Sequence, residues 1–107
     1  MKQCFAVIVI IAVTGVFAQA AESEGAALFQ KNCVLCHGAD AGGNTPMGKQ
    51  NHIKDLKSPE VQKQSDAELA DIIAKGSKKP MPPFAGRLKP EQIHEIVEYL
   101  RELGKKH

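Results

Sequence analysis

Cys33-Val34-Leu35-Cys36-His37 sets two cysteines three positions apart, with a histidine directly after the second. At a helix end, residues three apart lie on one face. Both sulfurs can therefore reach the two vinyl-derived carbons on one edge of a porphyrin. The histidine, next in the chain, is carried under the ring, where its imidazole can bind iron. This is the attachment pattern for c-type haem. Two other chemistries use the same residue types. A thioredoxin-like pair needs a strand before it and a βαβ setting, but Ser23 to Asn32 reads as a helix and residues 21–107 hold no convincing β-branched run. A zinc site needs four ligands. His52 or His94 would have to be recruited from a distance, and no second paired cluster is present. Haem is the reading the rest of the chain has to support.

At 107 residues the chain has room for one domain. Its first twenty residues differ from the others. Lys2 makes a positive start, and Phe5 to Phe17 is apolar except for Thr14 and Gly15. Ala18-Gln19-Ala20 then ends the run with small residues. That is the pattern of a secretory signal peptide over residues 1–20, cut between Ala20 and Ala21. Its alternative is an uncleaved anchor, for which the run falls short of the ~20 apolar residues of a spanning helix. Cys4 leaves with the signal. The domain is then residues 21–107. Its aromatics are only Phe29, Phe84 and Tyr99, a thin core that a buried porphyrin would fill. Without Lys2 there are 13 basic residues against 12 acidic ones, a balance that gives no reason to expect nucleic acid.

Ser23 can cap a first helix on which Gly25, Phe29 and Cys33 share a face. Gly25 costs roughly 1 kcal/mol against alanine there, which fits either a close helix crossing or a frayed first turn. Gly38 to Gly48 holds four glycines and Pro46 and reads as a loop around one haem edge. Pro46 is either a turn residue or the source of a carbonyl that accepts the second ring N–H of His37 and orients it; the sequence leaves these two level. Ser58-Pro59 starts a short helix. Ser65-Asp66-Ala67-Glu68 is a capping box opening a helix with Leu69, Ile72 and Ile73 on one face, Lys75 in its last turn and Gly76 as its stop.

Lys78-Lys79-Pro80-Met81-Pro82-Pro83-Phe84 can be neither regular helix nor central strand, because its prolines remove donors and fix φ. A stiff extended loop presenting one thioether suits a sixth iron ligand, and His/Met is an established axial pair. Met81 could instead fill a gap in the core. Met47, followed by Gly48, is the competing methionine, and His52 stands behind it. His94, among acids on a helix, and His107 read as solvated. Pro90 opens a last helix with Ile93, Ile96, Val97, Leu100 and Leu103 as its apolar stripe, ended by Gly104.

Taken together, the helix with Gly25 and Phe29, Cys-Val-Leu-Cys-His-Gly, Pro46, Lys-Pro-Met-Pro-Pro-Phe and a terminal helix with Glu-Tyr-Leu resemble a small bacterial class I c-type cytochrome over residues 23–104. The resemblance implies an all-α fold of three to five short helices wrapped around one covalently bound haem c. Its first and last helices would cross near Gly25, Phe29 and Tyr99. It implies thioether attachment at Cys33 and Cys36, His37 and Met81 as axial iron ligands, and a carbonyl at Pro46 holding His37. It also implies a soluble, monomeric electron carrier, not an enzyme, working in the periplasm between respiratory or photosynthetic redox proteins. The chain departs from the pattern in having no tryptophan, so a propionate contact given by an indole in relatives must come from another donor. Two alternatives stand beside this one: a catalytic or gas-sensing haem with an open sixth position, and a membrane-anchored electron-relay subunit of a larger complex. Ile72 to Pro90 carries Lys75, Lys78, Lys79, Arg87 and Lys89 and no acid, and Ala41 to Lys54 carries Lys49 and Lys54 with Asp40 just outside. If both segments flank the haem, the docking partner presents an acidic face.

Overall fold

Six helices are present among the described residues: α1 (Glu24–Asn32), α2 (Val34–His37), α3 (Pro46–Gln50), α4 (Pro59–Gln62), α5 (Asp66–Lys75) and α6 (Pro90–Lys105). The structure is a computed structural model and describes residues 4, 6–12, 23–78 and 80–106. The expected cut between Ala20 and Ala21, Lys79 and His107 lie outside the described residues. Residues 6–12 form no helix, and among the described residues no helix is long and apolar enough to cross a membrane. No strand is present among them; Ser77 and Met81 form one isolated antiparallel bridge. The all-α expectation holds, with more segments than the three to five foreseen.

Local chemistry explains where the helices start. Ser23 Oγ accepts from the Ala26 N–H at 3.1 Å, and Ser65 Oγ from the Glu68 N–H at 3.0 Å, each satisfying a first-turn donor. The extra segment α3 begins inside the stretch read as loop and runs on to Gln50. Thr45 accepts from the Gly48 N–H at 2.8 Å, and Pro46 takes the first helical position. This is the same cap-then-proline signal as Ser58-Pro59, hidden by the surrounding glycines. Gly104 does not stop α6, which runs on to Lys105. It lies instead beneath Gln62, where an added Cβ would come within 2.5 Å of the side-chain amide carbon.

The core sits between α1, α5 and α6. Phe29, Ile96 and Val97 are its most deeply buried large side chains, each worth roughly 1.5–3 kcal/mol of apolar burial. Gly25 is buried at the crossing of α1 and α6, and a Cβ there would run into the Glu95 carbonyl oxygen and lie 3.0 Å from Tyr99 Cβ. The Tyr99 ring packs on Phe29 with centroids 5.5 Å apart. The tight-crossing reading of Gly25 is therefore the correct one. Arg101 ties α6 to the α4–α5 junction: its guanidinium donates to the Gln62 carbonyl at 2.7 Å, to the Gln64 carbonyl, and to Asp66 Oδ1 at 2.9 Å.

Candidate haem site

Cys33 ends α1, donating its N–H to the Phe29 carbonyl at 2.9 Å, and its φ of −119° breaks the helix before the chain re-enters one as α2. His37 N–H to the Cys33 carbonyl at 3.0 Å and Gly38 N–H to the Val34 carbonyl at 2.8 Å close that turn. Cys33, Cys36 and His37 thus ride on one short helical unit. The turn is held from behind by Thr45, whose hydroxyl donates to the Cys36 carbonyl at 2.6 Å, and by the Gly43 N–H, which donates to the His37 carbonyl at 2.7 Å. Gly48 allows this approach, since a Cβ there would strike the Gly43 carbonyl oxygen and lie 2.7 Å from that of Cys36.

Burial sets the electrostatics. Desolvation holds the His37 imidazole below the ordinary histidine range, so it is neutral, as a metal-ligating imidazole must be. Desolvation, and then the neighbouring Cys36 sulfur, push the Cys33 thiol up to about 11. His37 Nδ1 is buried and has no hydrogen-bond partner among the described residues. The expected bond to the Pro46 carbonyl is therefore not made here; Pro46 opens α3 and is exposed.

Met81 comes from the irregular stretch after α5. Its N–H donates to the Ser77 carbonyl at 3.0 Å, and its carbonyl accepts from the Ser77 N–H at 2.9 Å. Phe84 and Ala85 then fasten the outgoing strand of the loop to the end of α5, donating to Ile73 and Ala74 at 3.0 and 3.1 Å. Gly76 makes the reversal with φ of +75°, and a Cβ on it would meet the Met81 carbonyl oxygen and lie 2.9 Å from Pro83 N. The stiffness expected from the prolines is thus supplemented by a two-bond clamp that composition did not reveal.

One cavity of about 480 Å³ brings these segments together. Cys33, Cys36, His37 and Met81 all line it, with Phe29, Leu69, Ile73 and Phe84 among its apolar walls. The size is in the ordinary range for a cofactor site. Met47 is 41% exposed and outside the lining, as is Pro46. His94 is exposed and pairs with Glu98 at 3.2 Å. His52 is on the rim in a left-handed conformation, φ +54°. The residues fit an amphiphilic porphyrin: walls mostly apolar, two thiols and a neutral buried imidazole on one turn, a thioether on another segment, and no carboxylate in the lining among the described residues. Sequence reasoning set Lys54 and Arg87 on segments flanking the haem and His52 among the candidate ligands, and the cavity lining includes all three; it did not single out Asn51 or Ile53. Asn51 and Ile53 carry no local signal, because what puts them at the cavity is the return of distant chain.

Comparison with known proteins agrees with this construction. The family model for cytochrome c oxidase, cbb3-type, subunit III matches residues 20–100. Cytochrome c6 of Nostoc sp. (strain PCC 7120) is 42% identical over 91 residues, covering 82% of this chain and 75% of that protein. The cbb3-type oxidase subunit FixP of Bradyrhizobium sp. (strain ORS 278) is 35% identical over 82 residues; the match covers 77% of this chain but only 27% of FixP. Among solved structures, the KustC0563 c-type cytochrome superposes with a TM-score of 0.67 at 32% identity, covering 74% of this chain and 95% of that one. With most of its length matched, and with the two cysteines, histidine and methionine gathered at one cavity, this chain belongs to the small class I c-type cytochromes, electron-transfer proteins with covalently bound haem c.

Proposed function

We propose that this protein is a periplasmic carrier of single electrons, with Cys33 and Cys36 as the thioether attachments and His37 and Met81 as the axial ligands of one haem c. The observation that carries the assignment is the shared cavity: Met81 lines it together with Cys33, Cys36 and His37, and Met47 does not. When bound, haem supplies the one-electron ferric/ferrous couple. The chain's own residues do the rest. The α2 turn holds two sulfurs and an imidazole in a fixed relation, and the Ser77 clamp holds the thioether. Phe29, Leu69 and Ile73 exclude water. Filling both axial positions leaves no place for a substrate, and a methionine ligand raises the reduction potential relative to two histidines. The buried, unpartnered Nδ1 of His37 is the atom that calls for an acceptor, and the Pro46 carbonyl remains its candidate.

The proposed partners are redox proteins with an acidic docking face. Lys49, Lys78 and Arg87 have no carboxylate partner among the described residues, whereas Lys54 pairs with Glu60 at 2.6 Å and Lys75 with Asp71 at 2.9 Å. Glu95, Glu98 and Glu102 line a separate groove beside α6, apart from the cavity lining. The cbb3-type matches favour a second reading, an electron-relay module of a larger oxidase held at the membrane by residues 1–20. Production in a host with haem-attachment machinery tests both. The expected protein has the spectrum of a six-coordinate haem, keeps its haem through acid and organic extraction, lacks residues 1–20 by mass, and fractionates with the periplasm. Extraction of all haem sinks the assignment, and retention of the leader in the membrane selects the relay reading.

A further inference from the structure

We propose that Thr45 is a positioning residue for His37, its hydroxyl fixing how the imidazole is presented to the iron. The inference rests on the haem assignment above and adds to it a residue outside the Cys33–His37 motif. An axial imidazole is ordinarily oriented by a hydrogen bond at its second ring nitrogen. Here Nδ1 is buried and has no partner among the described residues. Phe29 lies against the ring, with centroids 6.5 Å apart and planes tilted by 43°, a contact without a directional bond. What is left to orient the ring is the backbone on either side of His37, and Thr45 meets both sides. Its hydroxyl donates to the Cys36 carbonyl at 2.6 Å, the oxygen of the peptide that joins Cys36 to His37. Its Cγ2 methyl group stands beside Gly38, 3.5 Å from where a Cβ on that residue would lie.

Thr45 itself has little freedom. It precedes Pro46, which confines it to extended backbone, and its φ of −125° and ψ of 162° are of that kind. Its branched side chain is stiff at χ1. The hydroxyl is engaged in both directions, donating to Cys36 and accepting from the Gly48 N–H at 2.8 Å. The start of α3 and the end of α2 are thus locked through one atom. The Cys36 carbonyl is among the end carbonyls of α2, which no N–H of that helix can satisfy, so the hydroxyl meets a standing need. The Pro46 carbonyl, proposed above as the acceptor for Nδ1, follows Thr45 directly, and the same strut places it. Ser58, also set before a proline, caps α4 in the same way, its Oγ accepting from the Val61 N–H at 3.4 Å. Among the described residues it bonds to no part of the α2 turn, which makes it the natural control for a cap that does nothing more.

The test compares purified wild-type holoprotein with Thr45→Val, Thr45→Ser and, as control, Ser58→Ala. Two readouts are taken: the haem-methyl and His37 ring signals in the proton NMR spectrum of the ferric protein, whose spread follows the orientation of the imidazole, and the reduced-to-oxidised ratio at the wild-type midpoint. Without the hydroxyl the imidazole is free to turn and becomes a weaker donor, which favours the ferrous state. In Thr45→Val the methyl signals should be redistributed and the ratio should rise roughly two- to tenfold, the worth of one hydrogen bond. Thr45→Ser keeps the hydroxyl and should retain the wild-type pattern, with the ratio changed by less than about twofold. Ser58→Ala should lower the urea midpoint and leave both readouts alone. A Thr45→Val protein with the wild-type pattern and ratio, destabilised only as Ser58→Ala is, makes Thr45 a helix cap and overturns the proposal while the haem assignment stands. Equal changes in Thr45→Ser and Thr45→Val also overturn it, since the hydroxyl is then not the cause. A wild-type chain that matures without covalent haem overturns the assignment and the proposal together. Should Thr45→Val mature poorly because it leaves the Cys36 carbonyl unpaired, Thr45→Ala, which makes room for water there, decides on the same two readouts.

Discussion

The two segments that meet at the cavity are built by contrasting means. The Cys33–His37 turn is regular: it is closed by helical hydrogen bonds, backed by Phe29, and joined through α1 to the α1–α6 crossing at the centre of the core. The Met81 segment is irregular. It hangs from the end of α5 by four backbone hydrogen bonds, two with Ser77 and two from Phe84 and Ala85, and its flanking prolines replace the rest. The first segment shares the stability of the whole fold. The second has a stability of its own, drawn from a handful of contacts, and can open without global unfolding. Under the proposed assignment, covalent attachment and the strong ligand sit where the chain is rigid, and the weak thioether sits where the chain can yield.

Substitution of the ligands should break this comparison most sharply. His37→Ala removes the group that the α2 turn is built to present, and the expected outcome is near-complete loss of matured holoprotein, read as haem per polypeptide. Met81→Ala should leave the haem attached and the helices formed. It should open the iron to added cyanide or imidazole, with affinity raised by a factor of 10 or more, and lower the potential. Met47→Ala should do neither. If Met47→Ala opened the iron and Met81→Ala did not, the axial assignment would be wrong.

Two glycines sharpen the comparison at smaller scale, since each supports one segment. Gly25→Ala puts a methyl group into the Glu95 carbonyl at the helix crossing. Overpacking of this kind costs about 1–3 kcal/mol, which should appear as a lower urea midpoint of the holoprotein with an unchanged ligand spectrum. Gly76→Ala meets both a left-handed backbone and the Met81 carbonyl, at roughly 1–2 kcal/mol for the conformation alone. Its effect should be local: weaker thioether absorption and faster capture of cyanide, with the urea midpoint changed little. Equal loss of both properties in both variants would show one cooperative unit where two are argued.

Much of this contrast was legible in the residues. Cys33, Cys36 and His37 announce themselves because their chemistry depends on spacing, and spacing is local. Met81 was legible through its prolines, which describe a stiff loop without saying what holds it; the Ser77 clamp is backbone hydrogen bonding, to which residue identity is nearly blind. α3 went unread because Thr45-Pro46 is a helix start surrounded by glycines, and the glycines dominate composition. Gly104 misled for a related reason. Glycine after an apolar stripe ordinarily marks a helix end, but here its lack of a side chain makes room for Gln62 from a distant segment. The places of Asn51 and Ile53 at the cavity depend on chain return and had no local mark, whereas Lys54 and Arg87 were marked by their basic segments. Pro46 shows the reverse: a hydrogen bond was anticipated for its carbonyl, and the residue instead opens α3, with no bond to His37 Nδ1.

The smallest expected effect concerns charge, where the two segments should act together. The sequence places seven basic residues, Lys49, Lys54, Lys75, Lys78, Lys79, Arg87 and Lys89, on the two stretches flanking the site. The structure reduces their reach. Lys75 is paired with Asp71 and Lys54 with Glu60. What remains for steering among the described residues is Lys49 beside α3 and Lys78, Arg87 and Lys89 around the Met81 segment, all exposed. Opposed to them, the carboxylates of α6 stand outside the cavity lining. A residual positive field at the haem edge should speed encounter with an acidic partner and fade as the Debye length shrinks to about 10 Å at 0.1 M salt. Electron exchange with a small anionic reagent is therefore expected to slow about two- to fivefold from low to high ionic strength, and with a cationic reagent to quicken. Stopped-flow rates across that range measure both. Lys49→Gln and Lys78→Gln should each flatten part of the salt dependence. Flat, equal rates for the two reagents in the wild type would leave these lysines as solvated charges and remove the case for an acidic docking face.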